Sequence, residues 1–241
     1  MLQATQGFVL NTIKYSETSV IAKIYTQHFG LRAYIINGVR NTKGRAKAAM
    51  LQPLNHLDLV VYERENKSIN RIKEMKFATI YQNITFDVKR ASIALFLTEV
   101  FHMVIKEESA NNNLFNFLHQ LVLQLENCDE ESLTNLHCFY LLELTQLLGF
   151  YPTNNYSSST PFFDLKEGNF TDLIPAKHRI EGKEESFILH QMLQHQYAGW
   201  QHFIKNRLQR KMALKSLLNF YNWQIENLGK INSLNVLEKI F

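Results

Sequence analysis

Residues 31–53 read Leu31-Arg-Ala-Tyr-Ile-Ile-Asn37-Gly38-Val-Arg40-Asn-Thr-Lys43-Gly-Arg45-Ala-Lys47-Ala-Ala-Met-Leu-Gln-Pro53. The stretch opens as a strand in which Leu31, Ala33 and Ile35 alternate with Arg32 and Tyr34. It breaks at Asn37-Gly38 and runs into Arg40, Lys43, Arg45 and Lys47, with no acidic residue before Asp58. Cations crowded without local neutralisation repel one another. A fold tolerates them more readily when a polyanion comes to screen them, and nucleic acid is the commonest such partner. The competing reading is a solvated, solubilising loop.

Charge along the rest of the chain sharpens this contrast. Residues 1–80 hold 12 Lys/Arg against 5 Asp/Glu, and the remainder 14 against 17, so a total of +4 conceals a basic first third (+7) joined to a slightly acidic remainder (−3). Cys128 and Cys138 are too few for a disulfide framework and have no neighbours at metal-ligand spacing, so they read as reduced thiols in a cytoplasmic protein. Neither a signal sequence nor an apolar span long enough for a membrane is legible.

Outward from the quoted stretch, residues 7–76 read as five short strands: 7–15, 19–25, 31–39, 54–62 and 69–75. His28-Phe29-Gly30 and Arg64-Glu65-Asn66-Lys67 mark two of the turns. Five strands with one long excursion after the third suit a small closed barrel of oligonucleotide-binding type better than a sandwich. In such a barrel the strand 2–3 face and adjoining loops grip single strands. Arg32, Tyr34, Arg40, Lys43, Arg45 and Lys47 would then be DNA contacts, with Arg71 and Lys73 on the fifth strand; Tyr34 could instead be a packed rim residue.

From about Asp87 the hydrophobic period becomes 3.6, giving three helices through Leu148, with Gly149 as the stop. Residues 150–182, rich in Pro, Ser, Asn and Thr, read as a loop-rich insertion in which 162–164 and 169–171 make a small hairpin. Helices resume at about Lys183, with Phe187, Met192 and Leu193 as the stripe, and at about Asn206. On that last helix the apolar face turns cationic toward its start, through Leu214, Lys211, Arg210, Arg207 and Phe203. Such a surface suits an acidic, apolar peptide; the plainer reading is snorkelling side chains at a core edge. The class is therefore α+β: residues 1–80 an oligonucleotide-binding (OB-fold) barrel, residues 81–241 an α-helical domain with 150–182 inserted. No Walker loop, GxGxxG, GxSxG or HExxH occurs, so a binding protein is expected rather than an enzyme.

These residues resemble a known family. Tyr15-Ser16-Glu17, Thr26 to Gly30, Gly38 with Arg40, Leu97-Thr98-Glu99, Leu148-Gly149 and the closing Leu228-Gly229-Lys230 with Ser233-Leu234 are similar in order and spacing to the bacterial recombination mediator RecO. The resemblance implies DNA repair by a protein that binds single- and double-stranded DNA and anneals complementary strands. It implies work with RecR to load RecA onto strands coated by single-strand binding protein, with RecF participation left open. It also implies that the helical domain binds that protein's acidic, Phe-ended tail, for which Phe203, Arg207, Arg210, Lys211 and Leu214 are the candidates. A cytoplasmic, nucleoid-associated location would follow. Many family members carry two Cys-x-x-Cys pairs after the Leu-Gly step; residues 150–182 here contain no cysteine, so no zinc or other cofactor is expected. The rival reading is an OB-fold adaptor for RNA or protein.

Overall fold

A computed structural model describes residues 1–40, 44–64, 67–173, 179–194 and 204–241. Lys43 and Phe203, both candidates above, lie outside the described residues. The chain divides into two compact units, residues 1–127 with 231–237, and 128–230 with 238–241.

In the first unit, β1 (Leu2–Lys14), β2 (Val20–Thr26), β3 (Gly30–Ile36), β4 (His56–Tyr62) and β5 (Ile69–Phe77) close into a barrel of order β1-β2-β3-β5-β4. Closure comes from the length of β1, whose Gly7 pairs with both Thr26 of β2 and Leu57 of β4. Among the described residues only β3 and β5 pair in parallel. This is the oligonucleotide-binding topology expected from the strand count. The interior is filled by Val9, Ala22, Ile24, Tyr34, Ile36, Leu57, Leu59 and Val61. Helix α1 (Arg45–Met50) occupies the excursion between β3 and β4 and packs Ala48 and Met50 against that core. Gly30 turns the chain at φ +66, where a Cβ would collide with the Ser109 carbonyl.

The alternation seen in β3 has the opposite polarity to the one read from sequence. Tyr34 and Ile36 point inward with Arg32, and Leu31, Ala33 and Ile35 stand on the outer face. A strand has period two, so choosing the wrong parity sends every side chain to the other face.

The outer face of β1 and β2 is not free. Phe8 stacks on His56 at 4.5 Å and meets Phe115 at 5.2 Å, while the Tyr25 hydroxyl reaches the Asn111 carbonyl at 3.5 Å. Helices α3 (Val88–Val104) and α4 (Asn112–Asn127) supply this cover, and α2 (Asn83–Phe86) packs on them, so the first compact unit extends to Asn127 although strands give way to helices between Phe77 and Asn83. The division at 80/81 marks the change of secondary structure; compactness divides the chain later. The Glu126 carboxylate caps α2 by accepting from the amides of Gln82, Asn83 and Ile84. The Glu99 carboxylate on α3 accepts from the amides of Asn232 and Ser233 and from the Ser233 hydroxyl, and so caps the start of the last helix.

The second unit contains α5 (Glu130–Leu147), the hairpin β6 (Phe162–Asp164) and β7 (Asn169–Thr171), α6 (Lys183–Gln194) and α7 (Arg207–Gln224); α8 (Leu234–Ile240) follows. The inserted hairpin pairs as expected, with Phe163 opposite Phe170. Those two rings touch at 5.1 Å, and Phe163 meets Phe220 of α7 at 5.4 Å. Phe162 is only half-buried, with Lys183 5.7 Å above its ring. Polar groups complete the hairpin. Asp164 accepts from the amides of Lys166 and Glu167 and from Arg179, and Asn155 both donates to and accepts from the Phe170 backbone. On α6 the buried face runs through Ile188, Leu189, Met192 and Leu193, leaving Phe187 45% exposed.

Candidate nucleic-acid interface

The barrel face left open by α3 and α4 is built from β3, β5 and β4. Cross-strand pairing sets Arg71 of β5 opposite Ile35 on one side and Tyr62 on the other, all on the outer face. Next to this row a bulge between Val60 and Val61 admits one extra residue into β5, so Lys73 and Glu74 both turn outward.

Two depressions meet at Arg71. The larger, about 950 Å³, gathers Lys47, Arg71, Lys73 and Lys76 with Asp58 and Glu74. Its cations are partly neutralised, since Lys76 lies 3.5 Å from Asp58 and Lys73 3.3 Å from Glu74. The smaller is lined by Tyr62, Arg64, Lys67, Ile69, Asn70 and Arg71, with no carboxylate among the described lining residues. Tyr62 is 45% exposed there and offers a ring beside three cations, the combination that holds single strands by stacking and phosphate contact.

The quoted loop contributes unevenly. Arg40 donates to the Ser16 and Glu17 carbonyls at 3.3 and 3.4 Å, tying the β3 exit to the β1–β2 turn. Lys47 donates to the Asn37 carbonyl at 3.0 Å and still lines the larger groove. Arg45 is exposed on α1.

Two candidates need correction. Tyr34 is fully buried; its hydroxyl lies 3.4 Å from the Glu63 carboxylate, so its ring is barrel core and no stacking platform. Burial, followed by the nearby Glu63 charge, raises its pKa. Arg32 ion-pairs with Glu63 at 2.9 Å and donates to the Glu108 carbonyl at 2.6 Å. It closes the barrel mouth, its charge neutralised within the fold. Conversely, Tyr62, Arg64, Lys67 and Lys76, which line these depressions, were not among the residues read from the sequence. The parity of β4 carries the signal: with Leu57, Leu59 and Val61 inward, Tyr62 must face out, toward a turn bearing Arg64 and Lys67.

In the second unit the structure brings Arg207 and Arg210 together on α7, but both are engaged by nearby chain. Arg207 donates to the Glu238 carbonyl at 2.6 Å, and Arg210 donates to Asn135 at 3.2 Å and to the Phe241 carbonyl at 3.5 Å. Lys211 is exposed, and Leu214 is buried in the helix stripe.

Barrel topology and a cationic, aromatic-flanked outer face define a class: an α+β protein with an oligonucleotide-binding barrel followed by helices. Comparison with known proteins then names the family. The model described as Recombination protein O N terminal matches residues 1–81, and that described as Recombination protein O C terminal matches residues 85–168. A protein named DNA repair protein RecO from Bacteroides fragilis is 32% identical over 243 residues, with 100% of both chains covered. Its namesakes from Christiangramia forsetii and Flavobacterium psychrophilum are 33% and 31% identical, over 100% and 98% of both chains. The chain belongs to the RecO family of DNA repair proteins. Among the described residues no helix is long and apolar enough to cross a membrane.

Proposed function

We propose that this protein is a recombination mediator that works by binding and makes or breaks no covalent bond. It holds single- and double-stranded DNA on the outer face of its barrel, anneals complementary strands and, with RecR, helps to load RecA onto strands coated by single-strand binding protein. The observation that carries this reading is the hollow of Tyr62, Arg64, Lys67 and Arg71, exposed on a barrel of oligonucleotide-binding topology. Cations there displace counterions from phosphates, which gives affinity independent of base sequence and steeply dependent on salt. Two strands held on one cationic surface repel each other less and meet at raised local concentration, which accelerates annealing without chemistry.

In the helical unit, Arg207, Arg210 and Lys211 form the receptor for the acidic tail of single-strand binding protein. RecA is an indirect partner. The protein acts in the cytoplasm at the nucleoid. It needs no zinc, because the cysteine-free insertion is held by the Phe163–Phe170 contact and the Asp164 and Asn155 hydrogen bonds. Elemental analysis of purified material should find no stoichiometric zinc.

The deciding experiment is annealing of complementary DNA strands followed by fluorescence, with RNA as competitor. DNA annealing that persists in excess RNA supports the mediator reading; loss of annealing at equal RNA favours an OB-fold adaptor for RNA or protein. Replacing Arg40, Lys43, Arg45 and Lys47 by Ala tests the loop separately. If all four touch phosphate, the slope of log affinity against log salt falls by about three to four units.

A further inference from the structure

The cleft on α7 already holds a peptide. Residues 238–241 of this chain lie across it: Arg207 donates to the Glu238 carbonyl and Arg210 to the Phe241 carbonyl. The Phe241 ring lies 6.0 Å, centroid to guanidinium, from Arg210 and 5.8 Å from the His137 ring. Arg210 is aimed by Asn135 of α5, whose amide in turn donates to the Ile204 carbonyl at 3.1 Å. Guanidinium groups that grasp main-chain carbonyls beside a packed aromatic ring form a site suited to a peptide that carries a phenylalanine.

We propose that residues 238–241 are a self-ligand of this cleft, and that an incoming acidic, Phe-ended peptide binds by displacing them. The inference rests on the reading above that Arg207 and Arg210 receive such a tail. Exchange is favoured chemically. The resident segment offers Arg207 the neutral Glu238 carbonyl oxygen, whereas an acidic peptide offers carboxylates, whose charge-assisted bonds to guanidinium are about twice as strong. The resident segment competes through proximity, since a tethered ligand acts at an effective concentration of about millimolar. A site open only part of the time binds its partner more weakly in proportion to that fraction. The segment therefore sets how much acidic tail must be present before the helical unit engages it, and clustered tails on coated DNA would pass that threshold where a single free tail would not.

The test is fluorescence anisotropy of a labelled Asp-Asp-Asp-Phe peptide titrated with the full chain, for wild type, Phe241→Ala and Arg210→Glu. Removal of a cation–π contact and a half-buried ring should open the cleft and tighten peptide binding roughly tenfold in Phe241→Ala. Equal or weaker binding by Phe241→Ala, with Arg210→Glu abolishing it, overturns the self-ligand while keeping the tail site. Undiminished binding by Arg210→Glu overturns the tail site itself. A second readout holds even if Phe241→Ala loosens the unit. In Phe241→Trp, peptide addition should shift the added indole's emission to the red beyond the wild-type response of Trp200 and Trp223, and an unshifted emission overturns displacement.

Discussion

At the β4–β5 end of the barrel, Arg64, Lys67 and Arg71 stand on an open face with Tyr62 and no carboxylate among the described lining residues. On α7, Arg207 and Arg210 look equally cationic in sequence, yet they hydrogen-bond to Glu238 and Phe241 of the same chain. Arg32 goes further and is neutralised by Glu63 at the barrel mouth. A cation on an open face is more available to phosphate than one whose charge the fold has paired with a buried carboxylate. Charge counts along a chain do not distinguish these cases, because the oxygen arrives from residues distant in sequence.

The comparison breaks most visibly at the open cluster. Arg64→Ala/Lys67→Ala/Arg71→Ala should lower single-strand affinity by about two orders of magnitude near 0.1 M salt and reduce the salt slope by about two units. An unchanged slope in anisotropy titrations would move the interface elsewhere.

Arg32→Ala tests the opposite case. Leaving Glu63 buried without its partner should cost about 2–4 kcal/mol in urea unfolding, with the DNA salt slope unchanged. A normal stability and a reduced slope would restore Arg32 to the interface.

The barrel's covered face has its own signature. Burial, followed by the neighbouring His119, lowers the His56 pKa from 6.5 to about 4, and Asp58 opposes this only weakly. The native state thus binds fewer protons than the unfolded one between those values. Its contribution is complete above about pH 6.5 and is lost as pH falls toward 4, an effect of about 2–3 kcal/mol that His56→Phe should flatten. Parallel stability–pH curves for the two proteins would contradict it.

Smallest is the cap on the last helix. Burial alone would raise the Glu99 pKa, but hydrogen bonds from Ser233 and Asn232 hold it below its usual 4.5. Its contribution is therefore present above about pH 4.5 and disappears below. Glu99→Gln should lose about 1–2 kcal/mol at neutral pH, read by thermal melts, and almost nothing near pH 3.

Much of the architecture was legible along the chain. The five strands, the hairpin at 162–171 and helices α3 to α7 appear about where turn residues and hydrophobic period place them, because those signals act over a few residues, whereas the short α1, inside a stretch read as loop, and α2 were not legible. Phe187 was misjudged for a related reason: apolar character marks a residue as able to be buried, and the neighbours of α6 decide which face is. In β3 the period was right and the polarity reversed. Leu31, Ala33 and Ile35 are apolar enough to suggest the inner face, but Tyr34 is the larger ring and fills the barrel beside Glu63.

The sequence by itself determined the element order, the basic character of the first third and the family, since each depends on residue type and spacing alone. Tertiary structure alone decided which cations remain available. Closure of β1 onto β4 and cover by α3 and α4 leave the β3–β5–β4 face open, ion pairing takes Arg32 out of service, and the self-bound segment 238–241 occupies Arg207 and Arg210. Availability of a charge is a property of what packs beside it in space.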